Sequence, residues 1–303
     1  MHVRPAQHTT KNPTTHHLNT LNSLAPHTPP THPHLSKIPT PMPTELDHLQ
    51  QILSTSNSLE VWRTRSRELE TPMRGSQLHL DDKIWQWFPI SEITRQSLIA
   101  STQHLNLALT AIKAHDIYPS SHFTVLRGGL IGACQAVWIL GPDGRNERQQ
   151  RGLRVIHEWY KQALKYSEAQ LNPIQNPHTS NLEIDHMRSR KAECRELWHQ
   201  TQTLTAKQEL NLTDAIKWAA EFVLRNPTET QQIELLWRAF SGDAHALGWS
   251  LLTRNRSLDR HEGDGMGVFL VGGDLESLAE AFKITYRMLK RGWSLFDQRC
   301  ESI

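Results

Sequence analysis

The sequence predicts an all-α protein, a multi-helix bundle of seven or eight helices behind a disordered N-terminal tail. Helix-capping signals recur along the chain, apolar residues repeat at helical spacing, and strand-like runs are nearly absent. Residues 1–44 hold nine Pro, nine Thr and seven His, with no acidic residue before Glu45. Such a stretch buries too little apolar surface to offset its chain entropy, so a disordered tail is expected there. Its His16-His17 and His32-Pro33-His34 steps offer metal-binding residue types without fixed geometry, and no cofactor is expected. Met42 opens the stretch that turns helical, which marks it as an alternative start.

From 45 to 303 a helical domain is expected, with helices over 45–69, 92–117, 120–140, 144–171, 181–203, 212–224, 229–252 and 275–299. Ser180-x-x-Glu183 and Thr228-x-x-Gln231 have capping-box spacing, and Ser91, Ser120, Asp143 and Asp274 stand where N-caps are wanted. Residues 72–89, 173–179 and 255–273 are rich in Pro, Gly, Asn or Asp and read as loops. Within the last, only 268–271 reads as a short β-run. Leu153, Ile156, Tyr160, Leu164 and Leu171 form one apolar stripe, and Leu278, Phe282, Leu289, Trp293 and Phe296 another. The helix 120–140 is apolar nearly all round and carries Gly128, Gly129, Gly132 and Ala133, which suits a central helix approached closely by its neighbours. Ten tryptophans supply bulk between helices.

Of 303 residues, 37% are hydrophobic and 21% charged, and the formal net charge is +2. The tail holds three of the basic residues, so the folded part is close to neutral and lacks the strong field of a bulk nucleic-acid or anionic-membrane binder. Cys134, Cys194 and Cys300 lie far apart without CxxC spacing, which argues against a disulfide framework and a zinc knuckle. The longest uncharged apolar run, 128–141, is too short for a hydrocarbon core of roughly 30 Å, so no membrane span is expected. No basic-then-apolar leader opens the chain, and a reducing cytoplasm is the expected setting.

The stretch Trp237-Arg238-Ala239-Phe240-Ser241-Gly242-Asp243-Ala244-His245 is the most suggestive for chemistry. Seven positions at about 100° each bring His245 back onto the line of Arg238, two turns along one helix. On the same wheel Ile233, Leu236, Phe240, Leu247 and Leu251 form a buried stripe, while Arg238, Ser241, His245 and Trp249 fall near the opposite side. A histidine moves a proton near neutral pH and an arginine holds a phosphate, a pair suited to phosphodiester cleavage without metal. The plain alternative is a solvated face on which an Arg and a His coincide.

An arginine followed after four to six residues by a histidine, on a late helix of a bundle, is the signature of HEPN-type domains, and this chain resembles them at Arg238 and His245. Leu126-Arg127, opening LRGGLIGACQAVWIL, is similar to the Leu-Arg-x-x-x-Glu helix of related helical proteins of bacteria, actinobacteria above all. Their later helix reads Ser-x-x-Ala-His, as Ser241-Gly242-Asp243-Ala244-His245 does. The chain departs from them at Ile131, where they carry glutamate, and at Ala239, where a polar residue often follows the arginine. The resemblance covers roughly 120–250 and implies a HEPN-like core about 120–252. Such bundles are often homodimers, and active members are metal-independent ribonucleases with Arg and His facing each other across the dimer.

That resemblance implies His245 as general acid or base and Arg238 as the phosphate ligand, with RNA as partner. Ser241 or Asp243 would orient the imidazole, and Trp249 would stack a base. Arg127, in the most apolar helix, needs a carboxylate or carbonyl partner, or else serves as a second phosphate ligand. Arg145, Arg148, Arg151 and Arg154 repeat every three residues, and Arg188, Arg190, Lys191 and Arg195 form a second basic stretch. Either stretch is a solvated face or a nucleic-acid contact, with Arg148 and Arg151 the nucleic-acid candidates. Gly263-Asp264-Gly265-Met266-Gly267 lacks the spacing and flanking strand of a phosphate loop, and His157-Glu158 and His261-Glu262 lack the second histidine of HExxH. A non-enzymatic interaction module is the competing functional expectation.

Overall fold

The computed structural model describes residues 44–170, 181–201, 209–254, 257–260, 267–269 and 275–301. The expected tail lies outside them, as do the caps at Ser180 and Asp274, His261-Glu262 and most of the glycine loop.

The chain opens with α1 (Glu45–Leu53), held by a reciprocal cap in which Thr44 Oγ1 accepts from the Asp47 N–H and Asp47 accepts from the Thr44 N–H at 2.8 Å. The single helix expected over 45–69 is two. Ser54 and Thr55 donate their hydroxyls to Gln51 and Ile52 carbonyls, both at 2.7 Å, and this local bonding competes with the helix before α2 (Ser56–Arg65) begins. Inside the expected loop 72–89 sits α3 (Gln77–Asp82), capped by Ser76 and too short for a periodic signal. Asp82 then caps α4 (Ile90–Lys113) from outside, taking the Ser91 N–H at 2.8 Å and its hydroxyl at 2.6 Å. Ser91 is therefore held by the cap rather than being one.

Next come α5 (Ser121–Leu140), α6 (Arg145–Ala169), α7 (Asn181–Gln200) and α8 (Leu212–Leu224). Ser120 and Gly144 stand at the starts of α5 and α6 without side-chain caps, while Asp143 accepts from Arg299. After Arg225, in a left-handed turn at φ 52°, Asn226 caps α9 (Pro227–Ala244) with Pro227 in the first turn, so Thr228 is not the cap. α10 (Trp249–Arg254) leads into a small antiparallel pair, β1 (Ser257–Arg260) and β2 (Gly267–Phe269), with Ser257 opposite Phe269 and Arg260 opposite Gly267. The closing helix is α11 (Leu275–Cys300).

The architecture is the expected helical bundle, with α5 at its centre against α4, α8, α9 and α11. Leu126, Leu130, Ala133 and Val137 are wholly buried. At Gly132 the two backbones come so close that a Cβ would collide with the Ser97 carbonyl oxygen. Ser101 donates to the Gly129 carbonyl at 2.7 Å beside it, and Trp293 of α11 donates its indole N–H to Thr102 at 3.2 Å. The helix begins seven residues before the apolar run at 128, which makes α5 long and apolar enough to cross a membrane, although two-thirds of that span is buried inside the bundle. Leu278, Phe282, Leu289, Trp293 and Phe296 all reach the core, as do Leu153, Ile156, Tyr160 and Leu164. The three cysteines are free, and burial pushes the Cys194 and Cys300 thiols up to about 12.

Candidate functional site

The helix expected over 229–252 breaks in its last third, and the break rearranges the residues meant to share a face. Ala246 donates to the Asp243 carbonyl and Leu247 to that of Gly242, both at 3.0 Å, the paired bonds of a Schellman stop. Such a stop needs a left-handed residue, which here is Ala246 at φ 54°, with Gly248 at φ 73° turning the chain into α10. Trp249 is carried off the Arg238 face and laid across Gly242, where a Cβ would meet its ring at 2.8 Å. Leu247 faces solvent instead of the core.

Arg238 is largely exposed and directs its guanidinium back one turn, donating to Glu234 at 2.7 Å and 3.2 Å. Lys217 of α8 holds the other Glu234 oxygen at 3.0 Å, and these two cations, Arg238 first, keep that carboxyl below its usual range. His245 is the exposed C-cap residue of α9, and its ring has no hydrogen-bond partner among the described residues. Arg127, half-buried on α5, lies over the Trp237 ring at 4.7 Å and donates to Ser241 at 3.3 Å. It therefore reaches the Ser241 side of α9, without a carboxylate partner among the described residues. Ser241 in turn donates its hydroxyl to the Trp237 carbonyl at 2.9 Å.

Asp243 is buried and turned the other way. Both its oxygens take the Arg254 guanidinium, at 2.8 Å and 2.6 Å, and it also accepts from Ser250 at 3.0 Å and Ser120 at 3.2 Å. Neither Ser241 nor Asp243 orients the imidazole.

Arg148 and Arg151, expected to face nucleic acid, point inward. Arg148 is 2% exposed and clamps the wholly buried Asp81 through two bonds, at 2.7 Å and 3.1 Å, while its third nitrogen donates to Pro142 and Asp143 carbonyls. Arg151 donates to the Trp138 carbonyl at 2.7 Å and Glu147 at 2.6 Å, and stacks 3.8 Å over the Trp218 ring. Burial lowers its guanidinium to about 10. Arg154 continues the row over Trp138 and Trp198. Of the three-residue repeat, Arg148 is thus spent on Asp81, Arg151 and Arg154 are bedded on tryptophan faces, and Arg145 stays exposed.

Two grooves among the described residues stand out by volume. The first, about 520 Å³, lies between α9, α10 and α11 and is lined by Leu235, Leu236, Ala239, Trp249 and Ile284 with charges at its rim. Its α9 residues sit roughly 140° round the helix from Arg238, Ser241 and His245. The second, about 630 Å³, runs between α6 and α7. Lys161 and Lys165 on one side, and Lys191, Arg195 and His199 on the other, line it. Of these only Lys191 and Arg195 belong to the basic stretch singled out from sequence; the one-turn spacing of Lys161 and Lys165 was the signal for the rest. No protein family, curated protein or solved structure matches the chain.

Proposed function

We propose that this chain is a helical interaction module that associates with a second copy of itself through the groove between α9, α10 and α11. The observation that carries the proposal is that two of the groove's large apolar lining side chains, Leu235 and Trp249, are left in water. A contiguous apolar patch rimmed by charge is the mark of an association surface, with tryptophan its commonest anchor. At the rim Glu229 and Arg287 close on each other at 3.0 Å, and Glu280 and Lys283 add one charge of each sign, so the patch is nearly neutral and two copies can face each other without repulsion. On the other side of α9, Arg238 is spent on Glu234, and Ser241 and Asp243 bond elsewhere, which favours association over catalysis. Sedimentation at graded concentrations tests the proposal. The wild type should be dimeric, and Leu235→Glu or Trp249→Ala monomeric with unchanged helicity. A wild type that stays monomeric at roughly 100 µM overturns it.

Metal-independent RNA cleavage at the end of α9 is a second proposal, favoured by one observation: α5 delivers Arg127 onto Ser241, adding a second cation to the Arg238 and His245 side. His245 would move the proton and the arginines hold the scissile phosphate. Cutting of mixed RNA in EDTA that disappears in a correctly folded His245→Ala supports it; no cutting by the wild type at micromolar concentration sinks it.

A further inference from the structure

The seam between α6 and α7 packs on buried Cys194 and Trp198 and opens on one side into a polar groove. Glu168 pairs with Arg188 at one end and His157 meets Trp198 near the other, so the two helices run antiparallel with their groove-facing rows opposed. On α6 that row is His157, Lys161, Leu164, Lys165 and Glu168; on α7 it is Arg188, Lys191, Arg195, Glu196 and His199, with Glu209 beside them, so cations outnumber carboxylates by five to three. Two of the cations are neutralised within the protein. Lys161 bonds Glu209 at 2.7 Å and Glu158 at 3.2 Å, and Arg188 bonds Glu168 at 2.7 Å and Asp185 at 3.0 Å. Lys165, Lys191 and Arg195 have no carboxylate partner among the described residues. Three like charges facing one gap repel one another, and an anion seated between them removes that repulsion.

The histidines sharpen the picture. His157 is 3% exposed, lines the groove, and finds no hydrogen-bond partner for its ring among the described residues. His199 is fixed by a flat stack on Trp198, 5.0 Å between centroids and 10° between planes, and takes a bond from Arg195 Nε at 3.4 Å. The terminal nitrogens of Arg195 are left as donors. A volume of about 630 Å³ is that of a small-molecule site and exceeds what a single phosphate fills.

We infer that the α6–α7 groove binds a polyphosphate group, two or three linked phosphates, free or carried by a nucleotide, with Lys165, Lys191 and Arg195 as its cationic ligands and His157 and His199 as hydrogen-bond donors.

Titration calorimetry on the full chain at low ionic strength tests this with pyrophosphate, inorganic triphosphate, ATP, and sulfate at matched ionic strength. All three phosphates should bind, and Lys191→Gln/Arg195→Gln should weaken binding by roughly tenfold per lost cation. Arg63→Gln, on the far α2, should change nothing. Equal affinity for triphosphate and ATP assigns the groove to the phosphates alone, tighter ATP to a nucleotide, and both support the inference. Absence of heat with all three ligands, sulfate binding as tightly, or full binding by the double variant with an unchanged melting curve overturns it.

Discussion

Arg254 grips Asp243 through both carboxylate oxygens, at 2.8 Å and 2.6 Å, across the turn that separates α9 from α10. The carboxylate is wholly buried and the arginine nearly so. Removing one partner leaves the other charge without compensation. Asp243→Asn should therefore cost about 2–4 kcal/mol in urea denaturation, and Arg254→Met placed on top should recover part of it. A loss under about 0.5 kcal/mol would show the clamp to be decoration.

Ala246 occupies the left-handed position of the Schellman stop, where a Cβ is a burden. Ala246→Gly should raise stability by about 0.5–1 kcal/mol, the relief of strain exceeding the added freedom of the unfolded chain. The urea midpoint reports it, and a lowered midpoint would contradict the turn geometry.

Arg148 and Lys191 should separate two roles that look alike in the sequence. Arg148→Met strips the buried Asp81 of its partner and should cost about 3–5 kcal/mol. Lys191→Gln should leave the melting curve in place and weaken polyphosphate binding. The reverse pattern would place the functional cations on the arginine repeat of α6.

Burial lowers the proton affinity of His104, His122 and His157; a bond from the protonated ring to the Tyr118 carbonyl partly opposes this at His122, and Glu209 and Glu158 do so at His157 while Lys191 and Arg195 reinforce it. The unfolded chain takes up protons near the ordinary value of 6.5, whereas the folded chain takes them up only at lower pH. Stability from these groups is complete above that value and is lost as pH falls below it. Urea midpoints should be level between about pH 7.5 and 8.5 and drop by about pH 5.5, with a shallower drop in His122→Gln. A midpoint independent of pH over that range would refute the assignment.

α8 has the range 212–224 expected from the sequence, and Asn211, which accepts from the Thr213 and Asp214 N–H groups, fixes its start. The end of α9 was not legible. Gly248 signalled a turn, but the left-handed residue that stops the helix is Ala246, and sequence gives no reason for an alanine there. Glu234, four residues before Arg238, did announce the pairing that occupies that guanidinium. The arginine repeat misled because a spacing of three states that residues share a face and never which way the face looks. Tertiary packing turns part of it inward, with Asp81 of α3 taking Arg148 and the rings of Trp138, Trp198 and Trp218 taking Arg151 and Arg154. The α6–α7 groove needed the same step, since each cationic row reads as a solvated face until its partner is opposite.

The buried carboxylate at 243 also receives the Ser120 hydroxyl, and Arg254 reaches the Pro119 carbonyl at 3.2 Å, joining segments 123 and 135 residues apart along the chain. Closing loops of that length carries an entropic toll that neighbouring helices do not share. The expected order of assembly is therefore that helices adjacent in the chain pair first and this clasp shuts late. Pulse-labelled exchange would show it as α10 amides protected after those of α4 and α5. A nascent chain then carries Trp249 before its seat on Gly242 exists, so the self-association proposed above would be available only to molecules that have already finished folding.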